Sequence, residues 1–193
     1  PMLSNNSDPV NTILAAAKHC YLADGISATG MKNVAARAGV ARSTLYRYFP
    51  GRDELLVATV KQEMEALNTR IRKQQLQFDT PAELVVEGLI LAIKEVPKRP
   101  LLRTVFASEE DSRARRVIWS SDVIVRFGED LMDHVVRPAQ EAGILQDAVG
   151  PEILVEWVYR LLLSFLTLPS NWIQSDARLR ATLHALLIPV LLK

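Results

Sequence analysis

The stretch from Met31 to Phe49, MKNVAARAGVARSTLYRYF, constrains this chain more than any other part of it. Val34 and Ala38, four apart, lie on one apolar face of a short helix, with Ala35 beside them. Gly39 follows directly and can take the positive φ that ends a helix. Val40 packs as the chain turns. Leu45 and Phe49, again four apart, form the inner face of a second helix. Its remaining positions are Arg42, Ser43, Thr44, Tyr46, Arg47 and Tyr48. Each carries a hydrogen-bond donor and none is acidic. Such a face suits a DNA major groove, where arginine bonds guanine bidentately and hydroxyls reach bases or phosphates.

Charge points the same way. Between Gly25 and Arg52 stand Lys32, Arg37, Arg42, Arg47 and Arg52, and no Asp or Glu, for a local charge of +5 − 0 = +5 against +1 for the whole chain. Positive charge gathered in one place is the electrostatic footprint of a DNA-docking module. A solvated basic helical hairpin explains the charge alone. It does not explain the small-residue turn, the polar second helix and the acid-free window together.

These residues carry a family resemblance. Ile13 to Leu56 resembles the DNA-binding domain of the TetR family of bacterial transcriptional regulators. The shared features are Ala16-Ala17, Tyr21 with Gly25, Val34-Ala35, Ala38-Gly39-Val40, Thr44-Leu45-Tyr46, Tyr48-Phe49, and Arg52 with Leu55-Leu56. The resemblance implies DNA contacts from Lys32 at the start of the first helix of the motif and from the second helix. It also implies a phosphate contact from Arg52, where the family usually has Lys. Gly30 and Ala41 depart from the family's usual Thr or Ser, which removes two hydroxyls that could cap a helix or bond a phosphate. Thr29 is the expected substitute.

The rest of the 193 residues reads as helix, and the fold class is all-α: a DNA-binding domain over 1–56 and a larger effector-binding and dimerisation domain over 57–193. Asp8 and Pro9 open a first helix that Gly25 ends. A long helix runs from about Arg52 to Gln77 and joins the two parts. Thr80-Pro81-Ala82-Glu83 is a capping box. Pro100 opens a short helix with Phe106. Glu109, Glu110 and Asp111 favour the start of one long helix over about 112–137.

Two further helices are unusually apolar. In the first, opened by Pro151, only Glu152, Glu156, Arg160 and Ser164 form a polar stripe. The second follows Ser175-Asp176. Buried on several sides, such a pair suits a four-helix contact with a second copy. The resemblance implies the same, since the family dimerises through its last two long helices. Trp157, Leu161, Leu162, Phe165, Leu179, Leu183 and Leu186 are the expected contacts. A core private to one chain is the alternative.

No catalytic set is visible. His19, His134 and His184 lie on three helices without ligand spacing, so no metal or cofactor is expected. The lone Cys20 excludes an internal disulfide and fits a reducing cytoplasm. No leader and no membrane span is expected. Trp119, Val123 and Phe127 share one helix face. The resemblance brings Met64 and Phe106 near them, and His134 could add a polar contact. This is a small-molecule pocket or plain core. The reading is a homodimeric, effector-responsive repressor of a palindromic DNA operator, released by an apolar or amphipathic molecule. The alternative is a helical dimer that binds small molecules or protein partners without DNA.

Overall fold

The structure is a computed structural model that describes residues 8–107, 112–122, 128, 132–146 and 150–193. The described residues are helical throughout, apart from turns and one isolated antiparallel bridge between Leu145 and Leu192.

Helix α1 spans Pro9–Asp24. The Asp8 carboxylate accepts from the Val10 N–H at 3.0 Å, and Gly25 ends the helix at φ 87°. Helix α2 is Met31–Ala38 and stops at Gly39, which takes the left-handed conformation at φ 66°. Helix α3 is Arg42–Tyr48. Neither Gly30 nor Ala41 gives a side-chain cap to the helix it precedes.

Helix α4, Arg52–Gln75, runs without a break through the 56/57 boundary. Its 24 residues make a rod of roughly 36 Å at 1.5 Å per residue. Leu55, Leu56, Val60, Met64, Leu67 and Ile71 are its buried stripe, joined by Thr59, whose hydroxyl donates to the Leu55 carbonyl.

Helix α5 is Pro81–Glu95, and both halves of the Thr80–Glu83 capping box are formed. At its end Glu95 is buried, yet accepts from Arg70 at 2.7 Å and Lys98 at 2.8 Å. A 3-10 turn, Val96–Lys98, leads to α6, Pro100–Leu102, which continues as a π-helical turn over Arg103–Ala107.

The single long helix expected over 112–137 is not formed. Helix α7, Ser112–Trp119, stops at a turn. The Ser120 hydroxyl donates to the Arg116 and Val117 carbonyls, and that of Ser121 donates to Ile118 at 2.6 Å. Adjacent hydroxyls compete in this way for the carbonyls that a continuing helix needs. Asp122 and Gly128 are again helical, and Met132–Val136 forms a π-helical turn followed by α8, Arg137–Glu141. Glu109, Glu110, Asp111, Val123 and Phe127 lie outside the described residues.

Helix α9 is Pro151–Thr167, α10 is Asp176–Leu186 and α11 is Ile188–Leu191. Gly128 lies so close to α9 that a Cβ there would sit 2.6 Å from Val155 Cγ1. Leu154, Val155, Val158, Tyr159 and Leu162 of α9 face inward, as do Leu179 and Leu183 of α10. This corrects the expected dimer contacts. Leu162, Leu179 and Leu183 belong to the chain's own core, because α5 and the turn at Arg103–Ala107 already cover those faces. Leu161 and Phe165 are half-buried, while Trp157 is 49% and Leu186 72% exposed. Among the described residues no helix is long and apolar enough to cross a membrane.

Candidate nucleic-acid interface and effector cavity

Helix α1 packs across both α2 and α4. Ile13, Ala17, Val34 and Leu45 are all fully buried where these helices meet. This core fixes α3 from behind and leaves its outer face open. Arg42, Ser43, Tyr46, Arg47 and Tyr48 are exposed, as is Lys32 on α2, while Thr44 is half-buried. The Arg47 guanidinium lies over the Tyr48 ring, 5.1 Å from its centroid, which limits the freedom of both side chains before any contact is made.

Two expected contacts are placed differently. Thr29 is 2% exposed and its hydroxyl donates to the Gly25 carbonyl at 2.8 Å. That side chain closes the turn after α1 and has no surface to offer a phosphate, so it is not the substitute for the missing cap hydroxyls. Arg52 is exposed, but its Nη2 also donates to the Ser27 carbonyl at 2.6 Å and the Ile26 carbonyl at 3.3 Å. Tyr21 lies in the same core, and its burial pushes the phenol well above its usual range, opposed by the Arg52 charge.

Below the head, α4, α6, α7 and α9 line an almost wholly apolar cavity that is partly open to solvent. Met64 and Leu67 supply the α4 wall, with Phe106 and Trp119 opposite and Leu163 and Leu166 from α9. Met64, Phe106 and Trp119 are thus brought together as the sequence suggested. His134 is not with them. It lines a second pocket, open to solvent, between α4, α5 and α9, beside Asn68, Arg72 and Gln75. Tyr159 and Leu162 line both cavities and separate them. Sequence reasoning missed these two and Leu163, because an inward α9 residue reads as core whether it meets a neighbour or a void.

Asp53, in the first turn of α4, accepts two hydrogen bonds from Arg113 Nη2 at 2.8 and 3.1 Å. This pair joins α7 to the head end of α4. Among the described residues no group of three or more His, Cys, Asp or Glu could hold a metal ion.

A rigid helix-turn-helix head on an all-helical body with an internal apolar cavity defines a class of DNA-binding regulators. Residues 13–59 match the sequence model of the bacterial regulatory proteins, tetR family. The chain is 48% identical over 168 residues to the HTH-type transcriptional repressor KstR of Rhodococcus jostii, covering 84% of this chain and 75% of that one. Two solved structures share the fold. A TetR-family transcription regulator from Shewanella sp. PV-4 superposes with a TM-score of 0.68 at 19% identity, covering 97% of this chain and all of that one. Thermus thermophilus FadR, a TetR-family transcriptional repressor in complex with lauroyl-CoA, gives 0.62 at 21% identity over 93% and 95% of the two chains.

The chain belongs to the TetR family of bacterial transcriptional regulators. It is a DNA-binding regulator of transcription and not an enzyme.

Proposed function

We propose that this chain is a homodimeric repressor of a palindromic operator, released by an amphipathic effector that enters the Met64–Phe106–Trp119 cavity. Residues 1–56 read DNA, and 57–193 bind the effector and the second copy. The observation that carries the reading is the course of α4. It begins at Arg52 beside the exposed basic face, and it places Met64 and Leu67 in the cavity wall roughly 20 Å further on. A molecule that moves this wall moves the head. Lys32, Arg42, Ser43, Thr44, Tyr46, Arg47 and Tyr48 supply the DNA contacts, and Arg52 a phosphate contact. Val123 and Phe127 remain candidates to extend the effector site, whereas His134 belongs to the second pocket. The KstR relative is a repressor, and the FadR neighbour holds lauroyl-CoA. Both favour repression, and the FadR neighbour favours an effector with a long apolar part.

The exposed apolar residues of the last helices, Ile153, Trp157, Leu186 and Val190, offer a face for a second copy. Two heads related by a two-fold axis read half-sites about 34 Å apart, so a small change in head separation weakens binding. Selection from a pool of random duplexes tests the reading. Palindromic sites with fixed half-site spacing are expected. No selection at low salt would remove it.

A further inference from the structure

The apolar cavity adjoins a second space. Past Trp119 and Leu163, which line both spaces, it adjoins an open groove flanked by Arg113, Arg115 and Arg116. Three arginines and no acid stand in the eight residues of α7. Their side chains do different things. Arg115 donates its Nε–H to the Val105 carbonyl at 3.2 Å, which fixes it against the turn that carries Phe106. Arg113 is held by Asp53. Arg116 is exposed and has no carboxylate partner among the described residues. An apolar slot with guanidinium groups at its mouth matches a molecule with an apolar tail and an anionic head, because guanidinium pairs bidentately with carboxylate or phosphate.

We propose that the effector is an anionic amphiphile whose head binds Arg113 and Arg116, and that it takes Arg113 from Asp53. This rests on the effector reading of the cavity above. Asp53 takes both of its hydrogen bonds from Arg113 Nη2, the nitrogen common to the two edges by which a guanidinium grips an anion in a fork, so a ligand head bound in that way competes with Asp53 for it. A bound head therefore leaves Asp53 unpaired and uncouples α7 from the head end of α4. A ligand shifts a conformational equilibrium only by binding the two states differently, and the contested Arg113 supplies that difference. The effect is of moderate size, since both partners are about half exposed. Linkage then requires DNA binding to favour the Arg113–Asp53 pair and oppose the anion by the same factor.

The test compares dodecyl phosphate, laurate and dodecanol by calorimetry below their micelle concentrations, with the unmodified chain and with R116Q and D53N. Both anions should bind about tenfold or more tightly than dodecanol. A stronger dodecyl phosphate signal assigns the head to phosphate, and parity of the two anions assigns it to carboxylate. R116Q should lower the ratio of anion to dodecanol affinity about tenfold. D53N should raise that ratio severalfold, because Arg113 no longer has to leave a partner, and should shrink the anion's effect on DNA affinity. A ratio near 1 in the unmodified chain, or a ratio unmoved by D53N, overturns the proposal while dodecanol binding leaves the cavity reading intact. Failure of all three probes to bind overturns that reading, and this proposal with it.

Discussion

Arg52 holds the Ser27 carbonyl at 2.6 Å, so the first residue of the long helix is fastened to the loop that enters the DNA-reading motif. The same guanidinium reaches the Ile26 carbonyl. A residue for which the family resemblance implies a phosphate contact is therefore also a strut between α4 and the head. The two roles separate by substitution, because lysine keeps the charge and loses the fork.

Arg52→Ala should weaken all duplexes about equally, lower the salt slope by about one per half-site, and cost roughly 1 kcal/mol of stability. Arg52→Lys should restore the slope but not the stability. Arg42→Ala, on the exposed start of α3, should instead cost on the order of 1–3 kcal/mol per half-site and relax preference at one base pair. Affinities for the selected site and its single-base variants, each at several salt concentrations, decide between these patterns. A uniform loss with Arg42→Ala would end its reading role.

The surface of α9 and α10 divides into an inner and an outer face, and substitutions on the two should behave differently. Trp157→Glu and Leu186→Glu place a charge on exposed apolar positions and should give folded monomers. Leu183→Glu buries a charge in the chain's own core and should unfold the protein instead. Analytical ultracentrifugation with circular dichroism reads both outcomes. A dimer that survives Trp157→Glu and Leu186→Glu combined would move the interface elsewhere.

Trp119→Ala removes the wall shared by the apolar cavity and the arginine groove. It should lower laurate affinity about tenfold, with DNA affinity in the absence of laurate unchanged. Laurate binding as tight as in the unmodified chain would take the effector site away from α7.

Acid should loosen the joint between α4 and α5. The hydrogen bond from Lys98, then the Arg70 charge, hold the Glu95 carboxyl below its ordinary value. Its stabilising share is thus complete above the unfolded carboxylate range of about 4.3 and is lost as pH falls through the lower folded value. Glu95→Gln should reduce stability at neutral pH and flatten the acid limb below about pH 4. Urea titrations from pH 7 to pH 3 measure both. An acid limb identical in the two proteins would refute the assignment.

Much of this architecture is written in short-range chemistry. Asp8 with Pro9, Gly25, Gly39 and the Thr80–Glu83 box mark helix ends where the sequence predicts them, because a cap or a left-handed glycine acts within four residues of itself. The donor-rich, acid-free α3 needed no tertiary information either, since its inner residues Leu45 and Phe49 alone fix which side faces out. Other features follow from neither caps nor periodicity. Periodicity continued through Ser120 and Ser121, and only the hydroxyl bonds to preceding carbonyls show the break. Thr29 carried a surface-compatible side chain that the Gly25 carbonyl drew inward. Leu162 and Trp157 are both apolar residues of one helix, yet one is core and the other exposed, because α5 and the Arg103–Ala107 turn happen to cover a single side. The pairing of Asp53 with Arg113, 60 residues later, depends on where α7 packs against α4. Local hydrogen bonding and helical period determined the elements; which faces meet, and what space they leave between them, followed only from packing.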